Sequence, residues 1–362
     1  MNENTFVIRV DSSSEIGIGH LARCLVLAND LARLNYMVVF ICRDHYGSGH
    51  KAVLEQNFKL HLLDGKERYT ISSNPSDWLG YTQSHDAFES SKIISKYPKA
   101  NVIVDHYSLD YIWESKINCK SMIVVDDLAN RRHQCELLID QSLKNTKSDY
   151  QELIDNNFEF IGGNRVILRE EFNSAQTWKG QGTGKVLICM GGADPFGHTQ
   201  EILELITSTS KRFSEKLAGI EINVIVGEAF GDISILKNII EESDINIFLK
   251  KNPRKVSKLM LQSDLCILSC GTMILEACAL GAPSLGVVVA DNQQSTAEFL
   301  HQADAIELYD LRKKKGPEIF SIVSSLISNP QKLRDYSYKQ KKMVSQASSK
   351  IIARDLYELY RN

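Results

Sequence analysis

Short apolar runs and amphipathic stretches alternate along nearly the whole chain. Runs at 6–10, 37–42, 59–63, 102–105, 122–125, 137–139 and 158–161 are rich in Val, Ile, Leu and Phe and too short for helices, so they read as strands. Between them, 20–34, 49–56, 85–95 and 110–115 carry the apolar spacing of helices. Strands apolar on both faces and separated by helices predict parallel sheets covered on both sides. The pattern stops at 173–184, where "NSAQTWKGQGTG" is polar and glycine-rich and reads as a linker. It then restarts, with strands at 185–190, 221–226, 245–249, 265–268 and 284–289. Helices follow at 199–209, 233–242, 255–262, 272–280 and 295–302, and 330–362 reads as a helical tail.

The predicted class is α/β. Two doubly wound parallel-sheet domains, 1–175 and 185–345, face each other across a cleft, and a last helix, 346–362, packs back on the first domain. Ligands of such sheets bind beyond the carboxyl ends of the strands. Candidate residues should therefore follow strands directly.

Composition narrows the classes. Of 362 residues, 43% are hydrophobic and 24% charged, which suits two packed domains and excludes a disordered chain. Forty-two basic against 45 acidic residues leave a net charge of −3, so no electrostatic attraction to nucleic acid or an acidic membrane is expected. The basic clusters, Lys250, Lys251, Arg254 and Lys255, then 312–315, read as solvated loops or helix ends. The first residues lack the basic and apolar regions of a signal peptide, and no apolar run reaches the roughly 18 residues of a membrane span. Eight cysteines without a CxxC pair, mostly within apolar runs, point to free buried thiols and a cytoplasmic setting. Nine histidines without HxH or HExxH spacing suggest no metal site.

Four segments carry polar chemistry at strand ends. In "RVDSSSEIGIGHLARCLVLA" a strand meets Asp11, three serines, Gly17, Gly19 and His20 before a helix begins. The third glycine of a dinucleotide fingerprint is absent. The two glycines allow a low, tight turn that sets His20 at a helix N-terminus. The positive end of a helix disfavours imidazolium, and a neutral imidazole is what a general base needs; the alternative is a histidine that caps the helix or packs under the loop. "NVIVDHYSLD" places Asp105, His106 and Tyr107 at another strand end, suited to a sugar or to a capped turn. "SMIVVDDLANRRH" does the same with Asp126 and Asp127, one to orient a base or a substrate amide and one to cap. In the second half, Gly191 and Gly192 follow a buried strand, where their amides can approach an anion. Ser269, Gly271 and Thr272 open a helix suited to a diphosphate, with Glu276 one turn on and Asp291, Asn292 and Gln293 at the next strand end. Read without a ligand, this last set is an ordinary βαβ unit packed with small residues.

Together these segments resemble the UDP-2,4-diacetamido-2,4,6-trideoxy-β-L-altropyranose hydrolases of pseudaminic acid biosynthesis. The resemblance lies in Arg9-Val10-Asp11-Ser12-Ser13, Ile16 to His20 with Arg23, "VDHY" (104–107), "LREEF" (168–172), "CMGGADP" (189–195) and "SCGTMILEA…DNQ" (269–293). It implies a fold of the GT-B glycosyltransferase type, like the enzyme that adds N-acetylglucosamine to lipid I. It implies attack of water on the anomeric carbon, C–O cleavage with inversion, and release of UDP without metal or cofactor. His20 then matches the proton acceptor, Tyr107 a substrate contact, Glu276 the ribose glutamate and Asn292 the asparagine beside the phosphates. Asp11, Gly17, Gly19, Arg23, Asp105 and His106 fall on the sugar side, and Gly191, Gly192, Ser269, Gly271, Thr272 and Gln293 on the UDP side. The expected partners are a UDP-sugar and water, with no nucleic acid or membrane, and the chain is expected to be a monomer. An anomeric diphosphate leaves without an acid catalyst, so one base suffices where glycosidases need two carboxylates. A GT-B glycosyltransferase with a sugar or lipid acceptor is the alternative, and a silent nucleotide-sugar binder is a third reading.

Overall fold

The computed structural model describes residues 5–65, 74–173, 176–210, 219–228, 230–313, 319–346 and 348–361. The chain divides into two compact units, Met1–Arg169 with Ala347–Asn362, and Glu170–Gln346.

The first unit is built on β1 (Thr5–Val10), β2 (Met37–Arg43), β3 (Lys59–Leu63), β4 (Asn101–Asp105), β5 (Ser121–Asp126), β6 (Leu137–Asp140) and β7 (Glu159–Ile161). All pair in parallel in the order β3-β2-β1-β4-β5-β6-β7. β1 is buried at every position because both its faces are covered. Phe6, Ile8 and Val10 pack with Leu21, Leu27 and Leu31 of α1 (Gly19–Arg33), while Val7 packs with Ala87 and Ile94 of α3 (Gln83–Ile94). Two shorter helices, α2 (Lys51–Glu55) and α4 (Tyr111–Glu114), complete the connections.

The second unit repeats the plan. β8 (Lys185–Cys189), β9 (Glu221–Val226), β10 (Asn246–Lys251), β11 (Leu265–Ser269), β12 (Ser284–Val288) and β13 (Glu307–Asp310) form a parallel sheet in the order β10-β9-β8-β11-β12-β13. It carries α5 (His198–Ser210), α6 (Ser234–Glu241), α7 (Val256–Leu261), α8 (Thr272–Leu280), α9 (Gln294–Gln302), α10 (Ile319–Ile327) and α11 (Pro330–Met343). Ile188, Val224, Ile267 and Leu285 of the strands pack with Ile202 and Ile206 of α5 and with Phe320 and Val323 of α10.

Three sequence readings change. The helical tail is two helices, because Val344 is extended and the chain crosses there from the second unit to the first. α11 packs on α8, whereas α12 (Ser348–Tyr360) packs on α1, burying Ile352, Ala353 and Leu356. The polar stretch 173–184 is bound to the second unit rather than free. Trp178 is buried and donates its indole N–H to Ser263 O at 2.7 Å, and the amides of Gln181, Gly182 and Thr183 converge on the Asp264 carboxylate. A buried carboxylate that accepts several amides does here what apolar side chains do elsewhere. Arg312 is no solvated end: it pairs with Asp310, Asp291 and Gln294. Residues 1–4, 174–175 and Lys314 and Lys315 of the second basic run lie outside the described residues. β13 and α10 were not read from sequence, β13 because a half-buried edge strand of four residues shows no alternation.

Candidate active site

In the first sheet the strand order reverses between β1 and β4, where open α/β sheets bind ligands beyond the strand ends. Val10 and Asp105 are register partners there, so the segments after them rise side by side. The first runs from Asp11 to α1. Its turn closes through Gly17 N to Ser13 O at 2.9 Å, and Ser13 Oγ accepts from Glu15 N and Ile16 N at 3.1 and 3.0 Å. Gly17 sits at φ +74°, a conformation that strains any residue with a Cβ. No side chain caps α1, whose first residues are Gly19 and His20.

His20, Arg23 and Cys24 stand three and four positions apart, one face of a helix turn, and all three meet Asp105. Nδ1 of His20 lies 2.6 Å from Oδ1 of Asp105. Arg23 donates Nη2 to Oδ1 and Nε to Oδ2, each at 2.6 Å, and the Cys24 thiol reaches Oδ2 at 3.4 Å. Burial alone would raise the Asp105 pKa, but the Arg23 charge and then His20 outweigh it and hold the carboxyl well below its ordinary range. An ionised Asp105 can only accept, so in the neutral imidazole Nδ1 carries the ring proton and Nε2 the lone pair. Nε2 has no hydrogen-bond partner among the described residues. The ring is 8% exposed. Tyr107 stands edge-on to it, with centroids 4.5 Å apart at 86°. The Tyr107 hydroxyl donates to Asp127 Oδ1 at 2.6 Å, and Asp127 also accepts from Arg23 Nη1 at 3.2 Å. Asp127 thus steadies the arginine and the tyrosine that flank the histidine.

The sugar-side expectation needs correction for four residues. Asp105 is fully enclosed, with its carboxylate bound to His20 and Arg23. Arg23 is nearly enclosed, with its three nitrogens all engaged by carboxylates. Asp11 is fully buried: it accepts from Arg9 at 2.5 and 2.8 Å and from the Arg43 amide at 2.7 Å. Arg9 and Arg43 in turn share Asp86, also held by the Trp113 indole N–H at 2.8 Å. His106 turns inward too: Nδ1 accepts from Ser108 N at 3.0 Å and Nε2 stands 3.2 Å from Asp11 Oδ2, and burial pushes its pKa down. Charges drawn into an interior must be paired, and this interlocked set meets that demand under the strand ends. Of the sugar-side residues this leaves Gly17, Gly19, His20 and the Tyr107 ring that stands edge-on to it. Sequence reading held one of Asp126 and Asp127 to orient a base or a substrate amide; the carboxylate that meets His20 is Asp105. Asp126 instead binds Arg131 at 2.7 Å and Tyr150 at 3.0 Å.

The second sheet reverses between β8 and β11, and the residues singled out there flank that point. Gly191 has φ +117°, and a Cβ built on it meets nothing within 4 Å, so its backbone borders open space. Gly227 backs Gly192 so closely that a Cβ would lie 2.3 Å from the Gly192 carbonyl oxygen. Asp194 ends this turn by accepting from His198 N and Thr199 N at 2.9 and 2.6 Å, which caps α5. Ser269 is buried, Gly271 is the N-cap of α8 without a side-chain cap, and Thr272 is the first helical residue. Gln293 holds the next loop by accepting from Val289 N at 3.2 Å, and Asn292 beside it is half-buried. Glu276 is only 1% exposed, which leaves its ribose role on the resemblance alone. Among the described residues no group of three or more His, Cys, Asp or Glu is arranged to hold a metal ion, and no helix is long and apolar enough to cross a membrane.

No protein-family model matches the chain. It is 25% identical over 297 residues to the UDP-2,4-diacetamido-2,4,6-trideoxy-β-L-altropyranose hydrolase of Campylobacter jejuni, covering 81% of this chain and 95% of that one. It is 27% identical over 291 residues to an uncharacterized protein of Methanocaldococcus jannaschii, of which the match spans about half: 76% of this chain and 54% of the relative. Similar solved structures include MurG of Acinetobacter baumannii (TM-score 0.64, 12% identity, 98% and 99% of the two chains). Another is the calicheamicin glycosyltransferase CalG4 (TM-score 0.67, 12% identity, 99% and 98%). The chain therefore has the GT-B fold, and its sequence resembles that of the Campylobacter hydrolase.

Proposed function

We propose that this protein is an enzyme acting on a UDP-sugar, and that it hydrolyses a UDP-linked 2,4-diacetamido-2,4,6-trideoxyhexose at the anomeric C–O bond. The observation that carries the reading is the His20–Asp105 pair, with Nε2 unbonded at the switch point of the first sheet. Nε2 takes a proton from water as the water oxygen bonds to the anomeric carbon. The bond from that carbon to the diphosphate oxygen breaks, and its electron pair leaves with UDP. A single displacement inverts the configuration. The imidazolium formed at His20 is stabilised by Asp105, which is already ionised. Within the second unit, the uncovered backbone at Gly191 and the α8 N-terminus are groups suited to a diphosphate. The proposed partners are the UDP-sugar and water alone, and no step calls for a metal.

Incubation of the protein with UDP-2,4-diacetamido-2,4,6-trideoxy-β-L-altropyranose and no acceptor is the test. Stoichiometric release of UDP and the free sugar, unaffected by a chelator, is expected. UDP release that appears only when a sugar or lipid acceptor is added would make the protein a glycosyltransferase and overturn the reading.

A further inference from the structure

Trp78 belongs to no motif noted in the sequence, yet the fold delivers it next to the candidate base. Its indole lies 5.8 Å from the Tyr107 ring, tilted by 34°, and Tyr107 stands edge-on to His20. The indole is therefore one ring removed from the imidazole. The backbone on both sides of it is clamped. Asn74 caps the preceding turn, accepting from Ser76 N at 3.1 Å. Ser108, the residue after Tyr107, donates its hydroxyl to Pro75 O at 2.5 Å and accepts from Leu79 N at 3.2 Å. Leu79 itself is buried at 1% exposure and anchors the far end. Trp78 sits between these anchors and remains half-buried, although so large an apolar ring gains most from full burial. The Ser108 bonds tie the turn to the strand-end segment of Tyr107, so the two rings hold a fixed relation.

We propose that Trp78 is a specificity-determining residue: its indole forms, with Tyr107, an apolar wall that packs against a methyl-bearing substituent of the sugar beside His20. This rests on the reading of the protein as a UDP-sugar enzyme and deepens it. An aromatic face favours C–H groups over hydroxyls, which would have to shed water without gaining a partner. The ligand class it selects is a hexose carrying acetamido or deoxy groups, rather than a fully hydroxylated one.

The chain has three tryptophans, and the other two, Trp113 and Trp178, are buried. Trp78 should therefore dominate any change of indole fluorescence on ligand binding. Titration with the UDP-diacetamido sugar is expected to shift the emission, titration with UDP alone is not, and the response should vanish in Trp78→Phe. Trp78→Ala is expected to lower kcat/KM by about tenfold or more, mostly through KM, while Trp78→Phe stays within about threefold, the range one apolar contact commands. A response that is absent from the native chain, is equally given by UDP, or survives in Trp78→Phe would overturn the assignment. So would a Trp78→Ala variant with native kcat/KM. A native chain that gives the fluorescence response but releases no UDP would instead overturn the hydrolase reading and leave the contact standing.

Discussion

Asp105→Asn is the most informative single change. The carboxylate takes His20 Nδ1 and Arg23 Nη2 on one oxygen and Arg23 Nε on the other, all at 2.6 Å. An amide of the same shape has one acceptor and one donor. With its NH₂ at the Oδ1 position it opposes Arg23 Nη2 and donates to Nδ1, which drives the ring proton to Nε2 and removes the lone pair facing water. With its NH₂ at the Oδ2 position it opposes Arg23 Nε. Either placement breaks one of the two Arg23 bonds and leaves Asp127, at 3.2 Å, as the only carboxylate beside the guanidinium. Breaking a buried ion pair costs about 3–5 kcal/mol, and the lower end applies because Asp127 remains. The chemical step should lose about 10²–10⁴ in kcat, the range for a base in the wrong tautomer without its counter-charge. That corresponds to about 3–5 kcal/mol of transition-state stabilisation. UDP release at saturating substrate, UDP affinity by calorimetry and a thermal melt on the same sample separate the terms. A lower melting temperature, native UDP affinity and the predicted loss of kcat are expected. A folded variant whose kcat stays within about threefold of native would refute the base-orienting role of Asp105.

Three further outcomes follow from the same contacts. His20→Asn should cut kcat by about 10² or more with UDP affinity unchanged, and retained turnover would remove the base from residue 20. Burial raises the Asp140 pKa to about 6 despite bonds from Ser142, Tyr150 and Asn145. The folded state then binds a proton that the unfolded state releases near pH 4, so the Asp140 contribution to stability is full below about pH 4 and is lost, by about 3 kcal/mol, as pH rises through about 6. Asp140→Asn should remove that component, so the native-minus-variant difference in denaturation free energy must change between pH 4 and pH 8; a flat difference counts against the buried proton. Gly227→Ala drives a methyl into the Gly192 carbonyl and should cost about 1–3 kcal/mol by overpacking while weakening UDP binding through the displaced Gly191–Gly192 turn; unchanged affinity by calorimetry would separate that turn from the nucleotide.

Much of the fold was legible because its signals are local. The strand at 6–10 follows from a short apolar run and the helix after Gly19 from a period of 3.6, and a chain that alternates such segments has few ways to bury both. The point at which the tail breaks was not, because 331–362 has no Pro or Gly to mark it and the interruption at Val344 follows from which unit each half packs on. At the site, His20 stood out by its place after two glycines. Its partner did not. Asp105 looked equally suited to a sugar, and Asp11 to a ligand, because a one-dimensional text shows where a carboxylate stands and not how deeply it is enclosed.

The sequence by itself determined the two α/β halves, the strand ends at which polar residues gather, and the position of the histidine, since each is set by residues within a few places of one another. Only the tertiary structure decided that β4 lies beside β1, which brings Asp105 to a histidine 85 positions earlier, and that Ser108 pins Trp78 over Tyr107. The physical reason is that pairing between distant strands rests on burial of whole faces, a property of the packed sheet and not of any segment in it.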